Sequence, residues 1–162
     1  MSFRHGIGRA RDGSYEVRLP AEERMLLASL PGQLSGLLGT GSPSVRRLFP
    51  PAYEDVQEDE EYRRLVQESL LDGRRAALRV LETTATAERL TAEELEGWLG
   101  ALESLRLVLG TELDVTEDDA ARLDPDDPDA PRRALYHWLS WLQDEAVQAL
   151  AGSLPAGSDL EP

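Results

Sequence analysis

The chain contains neither cysteine nor lysine in its 162 residues. Without cysteine there is, within this chain, no disulfide framework, no thiolate zinc site and no thiol redox switch. Without lysine all 17 basic side chains are arginine, and no side-chain amine is offered for acetylation or isopeptide tagging. Long apolar runs are missing as well, since nothing approaches the ~20 residues that a membrane helix needs. The opening "MSFRHGIGRARDG" is basic but has no apolar core, so it reads as no signal peptide and the expected location is the cytoplasm. Only two histidines are present, His5 and His137.

Charge of one sign dominates what is there. The 31 acids outweigh the arginines and leave a net charge of −14. A duplex-binding protein gains much of its affinity by neutralising phosphates, so this balance argues against autonomous DNA binding. The 41% hydrophobic content is that of a globular chain rather than a disordered one. A chain of this length buries roughly two thirds of its unfolded surface. We expect one helical domain over residues 1–152, with a hairpin at 1–19, a bundle at 20–152 and a flexible tail at 153–162.

The pattern is mainly α. Asp12-Gly13, flanked by loosely alternating segments, predicts a small β-hairpin with a type I′ turn. Pro20, Glu22 and Glu23 start a first helix, which suits the positive end of its dipole. Its apolar face is Leu26, Leu27, Leu30, Leu34, Leu37 and Leu38, with a kink at Pro31 and an end at Gly39 and Gly41. "PSVRRLFPPAY" fits one helical turn, and a long helix follows over about 58–82. Thr91 and Glu94 form a capping box for the next helix. That helix has a stripe of Leu95, Trp98, Leu99, Leu102, Leu105 and Leu109 and a stop at Gly110. The last main helix, about 131–151, carries Leu135, Trp138, Leu139, Leu142, Ala146 and Leu150. The expected architecture is an irregular bundle of four main helices plus the hairpin.

Arginine doublets mark the long helix. Arg63-Arg64 and Arg74-Arg75 are separated by three turns at ~3.6 residues per turn, and Arg79 follows on the same side. On a helical wheel these five cover an arc opposite Tyr62, Leu65, Val66, Leu70, Ala77 and Val80, the face expected to be buried. Leu71 and Leu78 fall inside the arginine arc. One reading is a solvated face with pairs such as Arg64–Glu68 and Asp72–Arg75. The other is a docking surface for an acidic protein, with arginines rimming a small apolar patch.

Other candidates carry little chemistry. His137, Ser140 and Asp144 share one side of the last helix, but nothing supplies an oxyanion hole, and no enzyme is expected. "DPDDPD" lacks the glycine and glutamate positions of a calcium loop. No metal and no cofactor are expected. Trp98 and Trp138 read as core anchors. Trp141 stands off the stripe, either as a core flank or as an interface residue. Arg106 borders its stripe and should pair with a carboxylate or else snorkel to solvent.

Three blocks then point to a family. "RRLFPPAYEDVQEDEEYRRL", "LEGWLGALESLRLVLGTELDVTEDD" and "LYHWLSWLQDEAVQAL" resemble, in order and over nearly the whole chain, the motif blocks of an actinobacterial family. It is catalogued as a domain of unknown function and includes an oxidative-stress regulator. The resemblance implies a redox-responsive transcriptional regulator that works with an alternative sigma factor or RNA polymerase to raise an unconventional route of cysteine synthesis. Its second implication is an adaptor or accessory protein for a neighbouring Clp-protease adaptor or a sulfur-carrier and cysteine-synthase system. The family's characterised type is described as sensing oxidation through a disulfide, which a chain without cysteine cannot do. The residues expected to meet a partner are Arg63, Arg64, Leu71, Arg74, Arg75, Leu78, Arg79 and Trp141. Self-association is left open.

Overall fold

The computed structural model describes residues 5–37, 60–113 and 126–152. Alternation near the N-terminus gives strands β1 (Gly6–Arg9) and β2 (Tyr15–Arg18). They pair antiparallel, from Gly6 opposite Arg18 to Arg9 opposite Tyr15. Ile7, Tyr15 and Val17 turn inward and are buried. The turn differs from the type I′ expected. Gly13 N–H donates to Ala10 O (3.1 Å) and Ala10 N–H to Ser14 O (2.7 Å), so three residues, 11–13, form the loop. Gly13 takes the left-handed position at φ 89°, as three-residue hairpin loops require. Asp12 shapes the loop from inside by accepting both the backbone N–H of Ser14 (3.0 Å) and its hydroxyl (2.5 Å).

A two-residue strand that the sequence pattern does not announce, β3 (Arg89–Leu90), pairs antiparallel with β2 and makes it the central strand. Helix α1 (Ala21–Leu37) follows the hairpin. Pro31 lies inside it, fully buried, and the helix continues past it. Leu27, Leu30 and Leu34 are buried as expected. Leu26 is not: at 41% exposed it stands on the solvent side, one residue round from Leu27. The expected stop at Gly39 and Gly41, Leu38 and the "PSVRRLFPPAY" turn lie outside the described residues.

Helix α2 (Glu60–Thr84) leads to β3, and α3 (Ala92–Leu113) then begins at the capping box. Thr91 N–H donates to Glu94 Oε1 (2.8 Å), and Glu94 N–H donates to Thr91 Oγ1 (3.1 Å). The helix does not stop at Gly110 but runs to Leu113. Gly110 serves packing instead, because a Cβ there would lie 3.0 Å from the Tyr136 ring. Helix α4 (Ala130–Ala151) has Pro131 in its first turn, where a missing N–H costs nothing.

Helix α3 is the centre of the bundle, packed on α2 on one side and α4 on the other, while α1 lies on α2 and β1 on α4. One core joins Ile7, Tyr15 and Val17 of the sheet to Leu27, Leu81, Leu95, Trp98, Leu102, Leu139 and Leu142 of the helices. Trp98 is fully buried and donates its indole N–H to Thr84 Oγ1 (2.7 Å). Arg24 ties the layers together. Its guanidinium donates to the carbonyls of Val17 (2.6 Å), Leu19 (2.9 Å), Thr86 (3.2 Å) and Ala87 (3.2 Å). It thereby fastens the end of β2 and the end of α2 to the first turn of α1. One pre-organised fork thus serves four main-chain acceptors.

Candidate interaction surfaces

The arginines of α2 do not form one face. Arg74 turns toward α3, where Nη1 donates to the buried Ser104 hydroxyl (3.0 Å) and lies 3.7 Å from Glu103. Arg64, Arg75 and Arg79 remain exposed, clustered on one flank with Glu68, Asp72 and Glu82 between them. Among the described residues no carboxylate lies within ion-pair distance of these three, so the expected Arg64–Glu68 and Asp72–Arg75 pairs are not made. The side chain of Arg63 is outside the described set.

The apolar residues of α2 correct the wheel. Leu78 is 1% exposed and belongs to the core with Leu81 and Ala85, and Leu71 packs partly buried against them. Leu78 therefore cannot be part of a docking patch in the folded chain. Conversely Tyr62 (66%) and Leu65 (61%), expected inside, are exposed. The physical reason lies on α3. Gly97 and Gly100 let α2 approach closely at Val80 and Ala77, since a Cβ on Gly97 would sit 2.9 Å from Val80 Cγ1 and one on Gly100 3.3 Å from Ala77 Cβ. This crossing rotates α2 so that Leu71, Leu78 and Leu81 meet the core, and Arg74 reaches Ser104 over the apolar surface.

Trp141 stands apart from these arginines, on the other side of α3. It stacks on His5, with ring centroids 4.6 Å apart and planes 18° from parallel. His5 Nε2 lies 2.7 Å from Glu23 Oε2, and a carboxylate can only accept, so the imidazole is the donor. Glu23 Oε1 takes the indole N–H of Trp138 (3.1 Å). Trp138, expected as a core anchor, is thus half-buried with its polar edge outward. Glu145 completes the group: its carboxyl carbon lies 2.8 Å from where a Cβ on Gly6 would stand, a residue already at φ 130°. The hairpin, α1 and α4 thus converge on two indoles and two carboxylates. The position of Trp141 near Glu145 on the helix was readable from spacing, but the arrival of His5 and Glu23 depends on tertiary packing.

Arg106 also departs from expectation. It donates to neutral acceptors of α4, Ser140 Oγ (2.9 Å) and Gln143 Oε1 (2.5 Å), and lies 5.5 Å over the Tyr136 ring. Ser140, the middle of the His137–Ser140–Asp144 row, is occupied by this bond and by its own donation to Tyr136 O (2.9 Å). The ring of His137 meets the edge of Tyr136. Of the aspartate run, Asp127 accepts from Arg133 Nε (2.8 Å) and from Asp129 N–H (2.9 Å), bracing the start of α4. Asp124 is outside the described residues. Among the described residues no cluster of three or more ligating side chains is positioned to hold a metal. Also among them, no helix is long and apolar enough to cross a membrane.

These elements define a mainly α protein with a small antiparallel sheet at its N-terminus. The family described as "Domain of unknown function (DUF2017)" matches residues 2–150, and the chain belongs to it. A Mycobacterium bovis protein named "Oxidative stress regulator AosR" is 27% identical over 88% of this chain and 85% of its own length. The Mycobacterium tuberculosis protein of the same name aligns with the same identity and coverage. A Mycobacterium leprae relative is 28% identical over 67% of this chain and 58% of its own. No solved structure matches.

Proposed function

We propose that the protein is a non-catalytic regulator in the oxidative-stress response that acts through protein contacts, its partner being an alternative sigma factor or RNA polymerase. The observation that carries the reading is the collinear match, across 88% of the chain, to mycobacterial proteins named as oxidative stress regulators. The charge of −14 supports contact with a protein rather than with bare duplex. Any thiol-based redox signal reaches this chain through its partner, because it has no cysteine of its own. The exposed flank of Arg64, Arg75 and Arg79 is the surface we assign to that contact; its mixed signs suit a partner with complementary mixed charge.

The test is fluorescence anisotropy of a labelled promoter from the regulated cysteine-synthesis genes. It is titrated with this protein alone and then with polymerase carrying an alternative sigma factor. We expect a rise beyond that of polymerase itself only when polymerase is present, and loss of that increment in the Arg64→Glu, Arg75→Glu double variant. Arg74 is left untouched because its bond to Ser104 belongs to the fold. A steeply salt-dependent rise with the protein alone, or no increment in either case, overturns the reading.

A further inference from the structure

The cluster around His5 has the composition of a cation-binding notch. One wall is the face of Trp141, whose negative π-surface attracts a cation. The floor is the Glu23 carboxylate, held by the Trp138 indole N–H. Glu145 adds a second carboxylate at the edge, against Gly6. The surrounding chain is strongly acidic. Yet the group seated there comes from the chain itself. His5 lies flat on Trp141 and bonds edge-on to Glu23, while its side chain remains 48% exposed.

We propose that this notch is a docking site for an arginine side chain of a protein partner, and that His5 is its internal placeholder. The geometry selects arginine over lysine. The imidazole uses the site as a planar group stacked on the indole with its N–H aimed in plane at a carboxylate. A guanidinium has the same planar stack and in-plane donors, with a second N–H to spare for Glu23 or Glu145, whereas an ammonium has no plane to stack. Beside His5 a groove of about 580 Å³ runs between Glu16, Arg18, Arg24, Glu88 and Arg89, which gives the flanking peptide a channel. This surface is distinct from the arginine flank of α2 and stands whether or not the sigma-factor reading holds.

The probe is the peptide acetyl-Gly-Arg-Gly-amide, with the citrulline peptide as its neutral, equally planar control. The readout is the Trp141 indole N–H resonance, assigned with Trp141→Phe. His5→Ala should bind the arginine peptide about tenfold more tightly than the native protein, because an internal occupant reduces apparent affinity by the fraction of sites left open. Glu23→Gln should abolish binding in both backgrounds. The comparison of arginine with citrulline uses the unmodified chain, so the proposal stays testable even if His5→Ala loosens the hairpin. Equal shifts with the two peptides, or a folded His5→Ala that binds the arginine peptide no more tightly than the native protein, would overturn it.

Discussion

Replacing Leu78 with alanine gives the sharpest test of how α2 is oriented. A wheel built from the arginines puts this leucine at the surface, where substitutions stay within about ±0.5 kcal/mol. In the structure it is 1% exposed, in the cluster with Leu81, Ala85 and Trp98. The change removes three buried carbons at about 0.8 kcal/mol each, roughly 2.4 kcal/mol of transfer free energy. A residual cavity adds to this, since α2 is held at Gly97 and Gly100 and cannot collapse freely, for a total of about 3–4 kcal/mol. The expected fall in melting temperature is about 6–16 °C. Urea unfolding followed by helical circular dichroism measures the loss, with Leu65→Ala (61% exposed) as the paired control expected to be near zero. A loss below 1 kcal/mol for Leu78→Ala, or a larger one for Leu65→Ala, would refute the orientation of α2 described above.

Three further expectations follow from named contacts. Gly97→Ala should destabilise by about 1–3 kcal/mol through overpacking against Val80, and adding Val80→Ala should recover most of that loss in the same denaturation assay. Arg24→Met should cost about 3 kcal/mol by stripping four carbonyls of a charged donor. Arg24→Lys should not restore it, and hydrogen exchange should show the β2–β3 pairing opening first. The hydroxyl of Ser14, then its N–H, and more weakly the charge of Arg89, hold the Asp12 carboxyl below its ordinary value. The lowered pKa means this support for the loop is present above the unfolded pKa and is lost as pH falls through the folded one. Ser14→Ala should move the Asp12 titration upward, as read by carboxyl carbon NMR shifts.

Much of the fold was legible because local signals agreed with packing. Thr91 and Glu94 announce the start of α3, and Leu95, Trp98, Leu102 and Leu105 recur at the spacing their burial requires. Failures came where a distant element decides. No property of Leu78 or Tyr62 reveals which is inside. The choice is made by two glycines on the next helix, which set the depth of the α2–α3 crossing. Gly110 looks like a helix stop until Tyr136 fills the space above it. Arg106 looks like half of an ion pair until Ser140, Gln143 and Tyr136 satisfy it with neutral atoms. For the candidate sites, sequence could mark Trp141 as an off-stripe residue. It could not show that His5 arrives on its ring, because that contact spans most of the chain.

The sheet has a consequence for how the chain folds. The hairpin of β1 and β2 is local and can form early, but β3 joins it from far along the chain: the bond from Arg89 to Asp12 links residues 77 apart. Closing such a span costs chain entropy before any contact repays it. The helical pairs α2–α3 and α3–α4 close shorter spans, 30 residues from Arg74 to Ser104 and 34 from Arg106 to Ser140, and carry a smaller penalty. The third strand is therefore a late event, formed once α1 and α2 have brought its ends together. Changes at Arg24 or Leu90 should then mainly quicken unfolding, while changes in the α2–α3 crossing slow folding itself.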